Sequence, residues 1–234
     1  MDFTTGRISM GNKTTLAEQI YQELFHDITT QKLIFGQKLT LQELKTRFQV
    51  SQTPVREALT RLIEDGLVNY YSNLGVAVTT FTGSDIRELY QCISEFDALA
   101  ILFCKNSFST TPLIYELENI IKSGQQHLAE GDLAAWSHDS DDFHIVFYRH
   151  AQNHYLDDSA KRLRAKIQVF ANMYYFDDPI HAENIQMGHA EILENIKAGD
   201  FEEAANVMRL HLQYNMVYAL NAYEAAPKAK DTLK

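Results

Sequence analysis

The hydrophobic pattern of the first 80 residues predicts a small unit of helices followed by a hairpin. An apolar residue recurs every four positions at Leu16, Ile20, Leu24 and Ile28. This spacing is typical of one face of an amphipathic helix. A second helix is predicted at LQELKTRF, where Thr40 and Glu43 form a capping box. A third begins at Ser51, with a proline in its first turn.

Two β-rich runs, LVNYY and GVAVTT, follow the third helix and flank a Ser-Asn-Leu-Gly turn, which predicts a β-hairpin. Three helices followed by a two-stranded hairpin are typical of a winged helix-turn-helix, which we place at residues 10–80. Beyond it the pattern is almost entirely helical. Helices are predicted at residues 84–106, 112–130, 132–151, 155–175, 181–198 and 201–223. The predicted fold is therefore mostly α, with an all-α helical bundle at residues 83–225.

The charge of the chain is unevenly distributed between these two parts. The formal net charge is −10, yet residues 1–82 carry eight lysines and arginines against eight acidic residues. The acidity therefore belongs to the predicted bundle, and the neutral N-terminal part can bind nucleic acid if its cations share a face. No apolar run approaches the roughly 20 residues of a membrane span. The N-terminus also lacks the apolar core of a secretory signal, so a cytoplasmic location is expected.

The two cysteines, Cys92 and Cys104, are predicted to lie on one helix. At a rise of about 1.5 Å per residue they would be about 18 Å apart, which is too far for a disulfide. We expect both to be buried structural thiols.

The stretch VSQTPVREALTRLIEDGLV combines a polar beginning with an apolar side. A recognition helix enters the major groove with its N-terminal residues toward the base edges, where short polar side chains and an arginine suit base and phosphate contacts. The apolar side that would hold this helix on its neighbours consists of Leu59, Leu62 and Ile63. A capped surface helix of any α-protein would show the same spacing, so the spacing alone leaves both interpretations open.

The same stretch resembles the signature of the GntR family, in which Ser-x-Thr-Pro-Val-Arg-Glu-Ala-Leu leads through Leu-x-x-Glu/Asp-Gly-Leu to a wing glycine. The resemblance implies transcriptional regulation. The residues it implies as DNA contacts are Gln42, Ser51, Gln52, Thr53, Arg56 and, at the wing tip in the minor groove, Gly75. Gln52 departs from the family, where arginine is frequent. Because glutamine pairs better with adenine than with guanine, a different operator is expected.

Basic residues in this part of the chain are candidate phosphate contacts, and each could equally be a solvated surface charge. They are Lys32, Lys38, Lys45, Arg47 and Arg61.

Two histidines of the predicted bundle lie at matched distances from a helix break. His189 is ten residues before Gly199, and His211 is eleven residues after Asp200. In an antiparallel helical hairpin the two would therefore lie at the same height and could share a ligand. The third candidate is His144. Hydrogen-bonded core or surface histidines are the alternative interpretation.

Residues 84–222 resemble the all-helical FadR C-terminal (FCD) type of effector domain, through FHIVFYRHAQNHYL and HAEILENIKAGDFEEAANVMRLHL. The resemblance implies that His144, His189 and His211 bind a divalent metal together with an aspartate four residues before the first histidine. Zinc, nickel or manganese suit such ligands and leave positions open for a carboxylate effector. Here Ser140 stands at the aspartate position. Either Asp141 substitutes for it, or the site keeps three histidines plus water.

Two further positions depart from this family. Ile93 stands where an arginine is common, and Asp97 stands where glutamate is usual. That arginine can help to hold the effector anion or brace the fold. Its absence argues against a standard dicarboxylate effector.

Together these features predict a homodimeric transcriptional regulator, by family default a repressor, that binds a palindromic double-stranded operator. A small molecule, expected to be an organic acid, would modulate it from the helical domain. No enzyme activity and no membrane partner are expected. Two alternatives are a metal-dependent helical-bundle enzyme and a DNA-binding protein without a ligand. The enzyme would need ligand or nucleophile pairs that the sequence does not show, and the ligand-free protein would have a filled core with no pocket.

Overall fold

The computed structural model describes residues 14–72, 75–174 and 178–225, without the side chains of residues 173 and 174. It divides the chain into two compact units, one ending at Thr80 and the other beginning at Phe81. Among the described residues, no helix is both long enough and apolar enough to cross a membrane.

The N-terminal unit contains three helices and a small antiparallel sheet. The helices are α1 (Leu16–Thr29), α2 (Leu41–Phe48) and α3 (Gln52–Glu64), and the strands are β1 (Lys38–Leu39), β2 (Val68–Tyr71) and β3 (Gly75–Val78). The predicted helices and hairpin are confirmed. Strand β1 was not predicted, because two residues are too few to show a β period. It pairs with β3, which places β3 at the centre of the sheet.

Local caps explain where these helices begin. Thr40 and Glu43 form the expected capping box on α2, with each side chain bonded to the other residue's backbone N–H. Ser51 precedes α3 as predicted, but its side chain makes no capping hydrogen bond. The prediction of the apolar face of α3 was only partly correct. Val55, Ala58, Leu59 and Leu62 are buried, whereas Ile63 is 39% exposed, because it lies at the edge of the face formed by the i, i+3, i+4 and i+7 positions.

The second unit is a bundle of six helices within the described residues. They are α4 (Gly83–Cys104), α5 (Thr111–Glu130), α6 (Leu133–Ala151), α7 (His154–Tyr174), α8 (Pro179–Lys197) and α9 (Phe201–Ala225). Each begins and ends within two residues of its prediction. Helix α4 packs along α9, α5 packs along α6, and α8 packs along α9. The core between them is rich in aromatic side chains, with Trp136, Tyr90, Phe143, Phe147 and Phe170 fully buried.

The two cysteines of α4 have different environments. Cys104 is buried, as predicted, and its thiol lies 3.4 Å from the Phe147 carbonyl oxygen. Cys92 is exposed, so the prediction of a second buried thiol was wrong. The two cysteines are twelve positions apart, so at about 3.6 residues per turn they lie a third of a revolution from each other around the helix. Nearby, Ile93 is fully buried in the apolar core, where an arginine at this position would need an ion-pair partner.

Candidate functional site

The α8–α9 hairpin brings His189 and His211 together. Gly199 has a φ of +79°, which lets the chain reverse after α8 without a steric penalty. Asp200 then accepts a hydrogen bond from the Glu203 backbone N–H at 3.0 Å and caps the start of α9. The two imidazole centroids lie 4.8 Å apart, as their matched distances from the break predicted.

His144 on α6 completes a cluster of three imidazoles. Its Nε2 lies 3.3 Å from Nε2 of His189, and its ring centroid is 5.5 Å from that of His211. One ring nitrogen from each histidine lies within 4.8 Å of the other two, and all three side chains are buried. The structure therefore groups the three histidines that the sequence identified.

Two neighbouring residues set the positions of these rings. The Phe143 ring stacks on His189, with centroids 4.0 Å apart and an interplanar angle of 15°. A methyl group at Gly188 would lie 2.7 Å from His211 Nδ1. Glycine therefore gives His211 the space to turn into the cluster. Neither residue was selected from the sequence, where an isolated glycine or phenylalanine in a helix carries no signal of its own.

All three histidines are neutral at pH 7. Burial, together with the nearby Arg164 guanidinium, lowers the pKa of His144 well below its usual range, and burial does the same for His189. Burial lowers the pKa of His211 to about 3. Neutral imidazoles keep a lone pair for a metal, so the protonation state of the cluster suits metal binding.

A buried carboxylate on α4 orients the first histidine. Asp97 is fully buried, and it accepts a hydrogen bond from His144 Nδ1 at 2.8 Å. It also accepts hydrogen bonds from the Tyr148 hydroxyl and the Arg164 guanidinium. Burial raises the pKa of Asp97, an effect that Arg164 and Tyr148 oppose. Because the guanidinium stays charged in proteins, Arg164 and Asp97 form a buried ion pair. The bond to Nδ1 leaves the Nε2 lone pair of His144 directed at the cluster.

Sequence reasoning identified Asp97 only as a departure and did not identify Arg164 or Tyr148. Asp97 and Arg164 are 67 positions apart, and they lie on helices α4 and α7. No spacing rule links residues on helices that meet only through packing. One signal was present in the sequence. Ile93 stands where an arginine is common in relatives, so an acid buried on the same helix, such as Asp97, would need a cation from another helix.

The two candidates for an oxygen ligand lie differently around the cluster. Ser140 is buried and lines the same cavity as His144. Asp141 lies outside the group of side chains that could share an ion. One of its oxygens lies 3.9 Å from Arg164 Nη1, and burial raises its pKa to about 6. The Asp141 carboxylate therefore lies beside Arg164 and is not among the side chains grouped around a possible ion.

The space beside the cluster is small and polar. A cavity of about 30 Å³ is lined by Ser140, Asp141, His144, Arg164, Gln168 and Asn215, together with apolar side chains. Two buried polar atoms of this lining, Arg164 Nε and Asn215 Oδ1, have no hydrogen-bond partner. A second, open groove of about 310 Å³ runs between α8 and α9 past Gly188, His211 and Tyr214.

One pair of nitrogens in the cluster has the spacing expected of two ligands of a divalent metal. Zinc–imidazole bonds of about 2.0–2.1 Å in a tetrahedral site place two ligand nitrogens about 3.3 Å apart. This is the distance between Nε2 of His144 and Nε2 of His189. Because a ring nitrogen of His211 lies within 4.8 Å of both, the three histidines could hold one ion between them.

The predicted reading surface of the N-terminal unit is exposed. Ser51, Gln52, Thr53 and Arg56 all lie at the solvent-facing start of α3, and Gln42 is exposed on α2. The lack of a capping bond leaves the Ser51 hydroxyl available to a ligand.

Gly75 begins β3 with a φ of +84°, a conformation that side chains disfavour. It lies at the hairpin end as predicted. Residues 73 and 74 of the predicted turn lie outside the described residues.

Two of the candidate phosphate contacts are engaged within the unit. Arg47 Nη2 lies 2.5 Å from a carboxylate oxygen of Asp27. Arg61 pairs with Glu18 and stacks over the Tyr21 ring at 4.2 Å. In contrast, within the described part of the chain the Arg56 guanidinium makes no ion pair.

The remaining candidates are lysines. Lys32 lies 3.9 Å from Asp27 with most of its side chain exposed. Lys38 is exposed and Lys45 is half-buried.

Other histidines of the bundle make contacts away from the cluster. His127 Nδ1 lies 2.6 Å from an Asp139 oxygen, and His150 Nε2 lies 3.2 Å from a Glu116 oxygen. His181 stacks on the Tyr218 ring. None was predicted to have a functional role.

Comparison with known proteins identifies both units. Residues 16–78 match the family described as bacterial regulatory proteins, gntR family, and residues 88–214 match the FCD domain. The HTH-type transcriptional repressor RspR of Escherichia coli is 27% identical over 202 residues, covering 84% of this chain and 85% of that protein.

Solved structures share the fold. The E. coli protein McbR/YncC has a TM-score of 0.77 at 20% identity, covering 90% of this chain and 99% of that one. A GntR-type regulator from a Rhodococcus strain has a TM-score of 0.74 at 20% identity, covering 90% and 100%.

Proposed function

The chain belongs to the GntR family of transcriptional regulators and carries an FCD domain, and from this we propose that it is a repressor that binds a palindromic operator as a homodimer. Its relatives are regulators rather than enzymes, which sets aside the alternative of a metal-dependent enzyme. A relative named as a repressor supports repression rather than activation. Operator binding implies that the protein acts in the cytoplasm.

The observation that carries the DNA-binding proposal is the contrast between the arginines of the N-terminal unit. Arg47 and Arg61 are held by carboxylates, whereas Arg56 is exposed at the front of α3, one turn from the Gln52 side chain. A bidentate arginine contact to guanine is the commonest specific contact in the major groove. We assign base or adjacent phosphate contacts to Gln42, Ser51, Gln52, Thr53 and Arg56, and a minor-groove contact to Gly75.

Replacement of Arg56 with alanine is expected to weaken specific operator binding by about 1–3 kcal/mol. The operator is first selected from random double-stranded DNA by the purified protein. Binding to it is then measured by fluorescence anisotropy at fixed salt, because phosphate contacts make affinity strongly salt-dependent. The selected site also tests the preference for adenine that Gln52 implies.

Arg61→Ala is the matched control, because this arginine lies on the same helix but is paired with Glu18. It should leave the preference for operator over scrambled DNA nearly unchanged. Equal operator affinity of Arg56→Ala and the unaltered protein would remove Arg56, and with it the assigned reading face, from the proposal.

The free protein is expected to be a dimer. A single recognition helix contacts too few base pairs for useful specificity, and two-fold symmetry matches a palindromic site. Sedimentation equilibrium at micromolar concentration should give about twice the chain mass of 26.8 kDa. A monomer that binds one half-site would contradict this architecture.

We further propose that the helical unit senses a small organic acid at a divalent metal held by His144, His189 and His211, with zinc, nickel or manganese as the candidate ions. The neutral, converging imidazoles support this assignment. A bound divalent ion would supply a positive centre for a carboxylate. The polar cavity beside the cluster speaks against a DNA-binding protein that lacks any ligand.

Regulation would follow if the effector binds more tightly to one of two arrangements of the dimer, since a ligand shifts an equilibrium only by its differential affinity.

A further inference from the structure

The outer side of the α8–α9 hairpin is unusually apolar. Among the described residues of the helical unit, nine large hydrophobic side chains are exposed, and five of them lie on these two helices. Met187 is 70% exposed and Leu210 is 64% exposed. The other four are spread singly over the rest of the unit. We call the five residues the hairpin face: Ile180, Met187, Leu210, Tyr214 and Val217.

The hairpin face is one continuous patch. Asn184 of α8 and Tyr214 of α9 both line the open groove between the helices, and the Asn184 amide donates a hydrogen bond to the Tyr214 hydroxyl at 3.3 Å. Ile180 and Met187 lie one turn to either side of Asn184, and Val217 lies one turn after Tyr214. The apolar side chains therefore flank the groove from both helices. Contiguous exposed apolar patches of this kind mark interaction sites in soluble proteins.

The α9 half of the patch is also free of charge. Between Asn206 and Asn221, a range that the structure describes in full, none of the exposed positions carries a charged side chain. The exposed carboxylates of Glu183 and Glu191 lie beside this stripe, on α8. A charge-free centre with a polar rim is the usual composition of a protein–protein interface. The exposed positions of the stripe are Asn206, Leu210, Gln213, Tyr214, Val217 and Asn221.

The net charge of the chain makes this surface distinctive. The formal net charge is −10, and it belongs to the part of the chain that contains the helical unit. Two such units repel each other, so contact between them is least unfavourable where no charge is brought together. A partner that recognises the unit by charge would find nothing to pair with along the α9 stripe. These properties favour a second copy of the same chain.

The area of the patch is adequate for such a contact. Helix α8, with 19 residues, is about 28 Å long, and two helices side by side are about 20 Å wide. Their outer side therefore covers about 560 Å² in projection, and its protruding side chains add accessible area. A standard interface buries about 800 Å² on each partner. The hairpin is thus of the size that a stable dimer needs.

We propose that the hairpin face is the interface of the homodimer, in which a second copy of this chain packs its own hairpin face here about a two-fold axis. This inference rests on the dimer proposed above and assigns the surface that forms it. A two-fold axis brings the same patch of both subunits together, so the patch must be complementary to itself. An apolar, uncharged stripe meets that condition, because burying it against its own copy leaves no charge unpaired.

Leu210→Glu and Val217→Glu, made separately in the full-length protein, are expected to weaken dimerisation at least about 100-fold. Each substitution places an unpaired carboxylate in the apolar contact, and the two-fold axis places it there twice. Sedimentation equilibrium at the micromolar concentration at which the unaltered protein is a dimer should then give the chain mass of 26.8 kDa. Both side chains are exposed in the subunit, so circular dichroism should show an unchanged fold.

Tyr115→Glu is the matched control. This side chain is 66% exposed, close to the exposure of Leu210, but it lies on α5. The substitution adds the same negative charge to the unit outside the hairpin face. The Tyr115→Glu protein should therefore remain a dimer.

The results separate this inference from the dimer itself. A dimeric unaltered protein whose Leu210→Glu and Val217→Glu variants also stay dimeric would overturn the assigned surface and leave the dimer intact. An equal loss in Tyr115→Glu would overturn it as well, since association would then respond to any added charge. A monomeric unaltered protein would contradict the homodimer on which the inference rests.

Discussion

Replacement of Asp97 with alanine is expected to lower the free energy of unfolding of the helical unit by about 3–5 kcal/mol, the usual cost of leaving a buried charge without its partner. The carboxylate is fully buried and pairs with Arg164. Its loss also removes the acceptor of the Tyr148 hydroxyl and of Nδ1 in His144. Urea unfolding followed by Trp136 fluorescence measures the effect, because this single tryptophan is buried in the bundle.

Glu95 offers a matched control two positions earlier on the same helix. Its ion pair with Arg209 is exposed to solvent, so Glu95→Ala should cost no more than about 1 kcal/mol. The double variant Asp97→Leu/Arg164→Met should recover part of the stability that Asp97→Ala loses, because no charge is then left buried. Equal small losses for Asp97→Ala and Glu95→Ala would show that the Asp97–Arg164 pair is not buried as described.

Replacement of His189 with alanine is expected to weaken zinc binding by more than about 100-fold, since loss of an outer-shell partner alone can cost that much. Only two imidazoles of the cluster would remain, because Ser140 offers a neutral hydroxyl and Asp141 lies outside the group of side chains that could share an ion. Competition with a calibrated chelator measures the affinity, and circular dichroism checks that the fold survives removal of a ring that packs on Phe143.

His127→Ala is the corresponding control, because that imidazole pairs with Asp139 away from the cluster. Its zinc affinity should match that of the unaltered protein. An equal loss in both variants would mean that zinc binds elsewhere or responds to general stability. Unchanged affinity in His189→Ala would remove this histidine from the ligand set.

Those features of the chain that depend on neighbours along the sequence could be predicted from the sequence alone. Helix periodicity, the Thr40 capping box and the hairpin are local, so they were correct to within two residues for the helices of the bundle. The proximity of His189 and His211 also followed from the sequence. A short break makes two consecutive helices antiparallel, so residues equally far from the break lie beside each other. The signature around Ser51 indicated the class of protein.

Tertiary packing decided the rest. Strand β1 exists because β3 offers a partner, not because two residues form a strand unaided. The sequence left Arg47 and Arg61 open between phosphate contacts and solvated charges, and only the placement of α1 beside them supplied the carboxylates that engage them.

The candidate site likewise combines features that the sequence predicts with features that depend on tertiary packing. Its histidines were visible in the sequence, but the Asp97–Arg164 pair joins helices far apart along the chain. The low dielectric of the bundle interior makes such a pair necessary once one charge is buried. Which helix supplies the partner depends on the packed arrangement of all six helices, which no local pattern encodes.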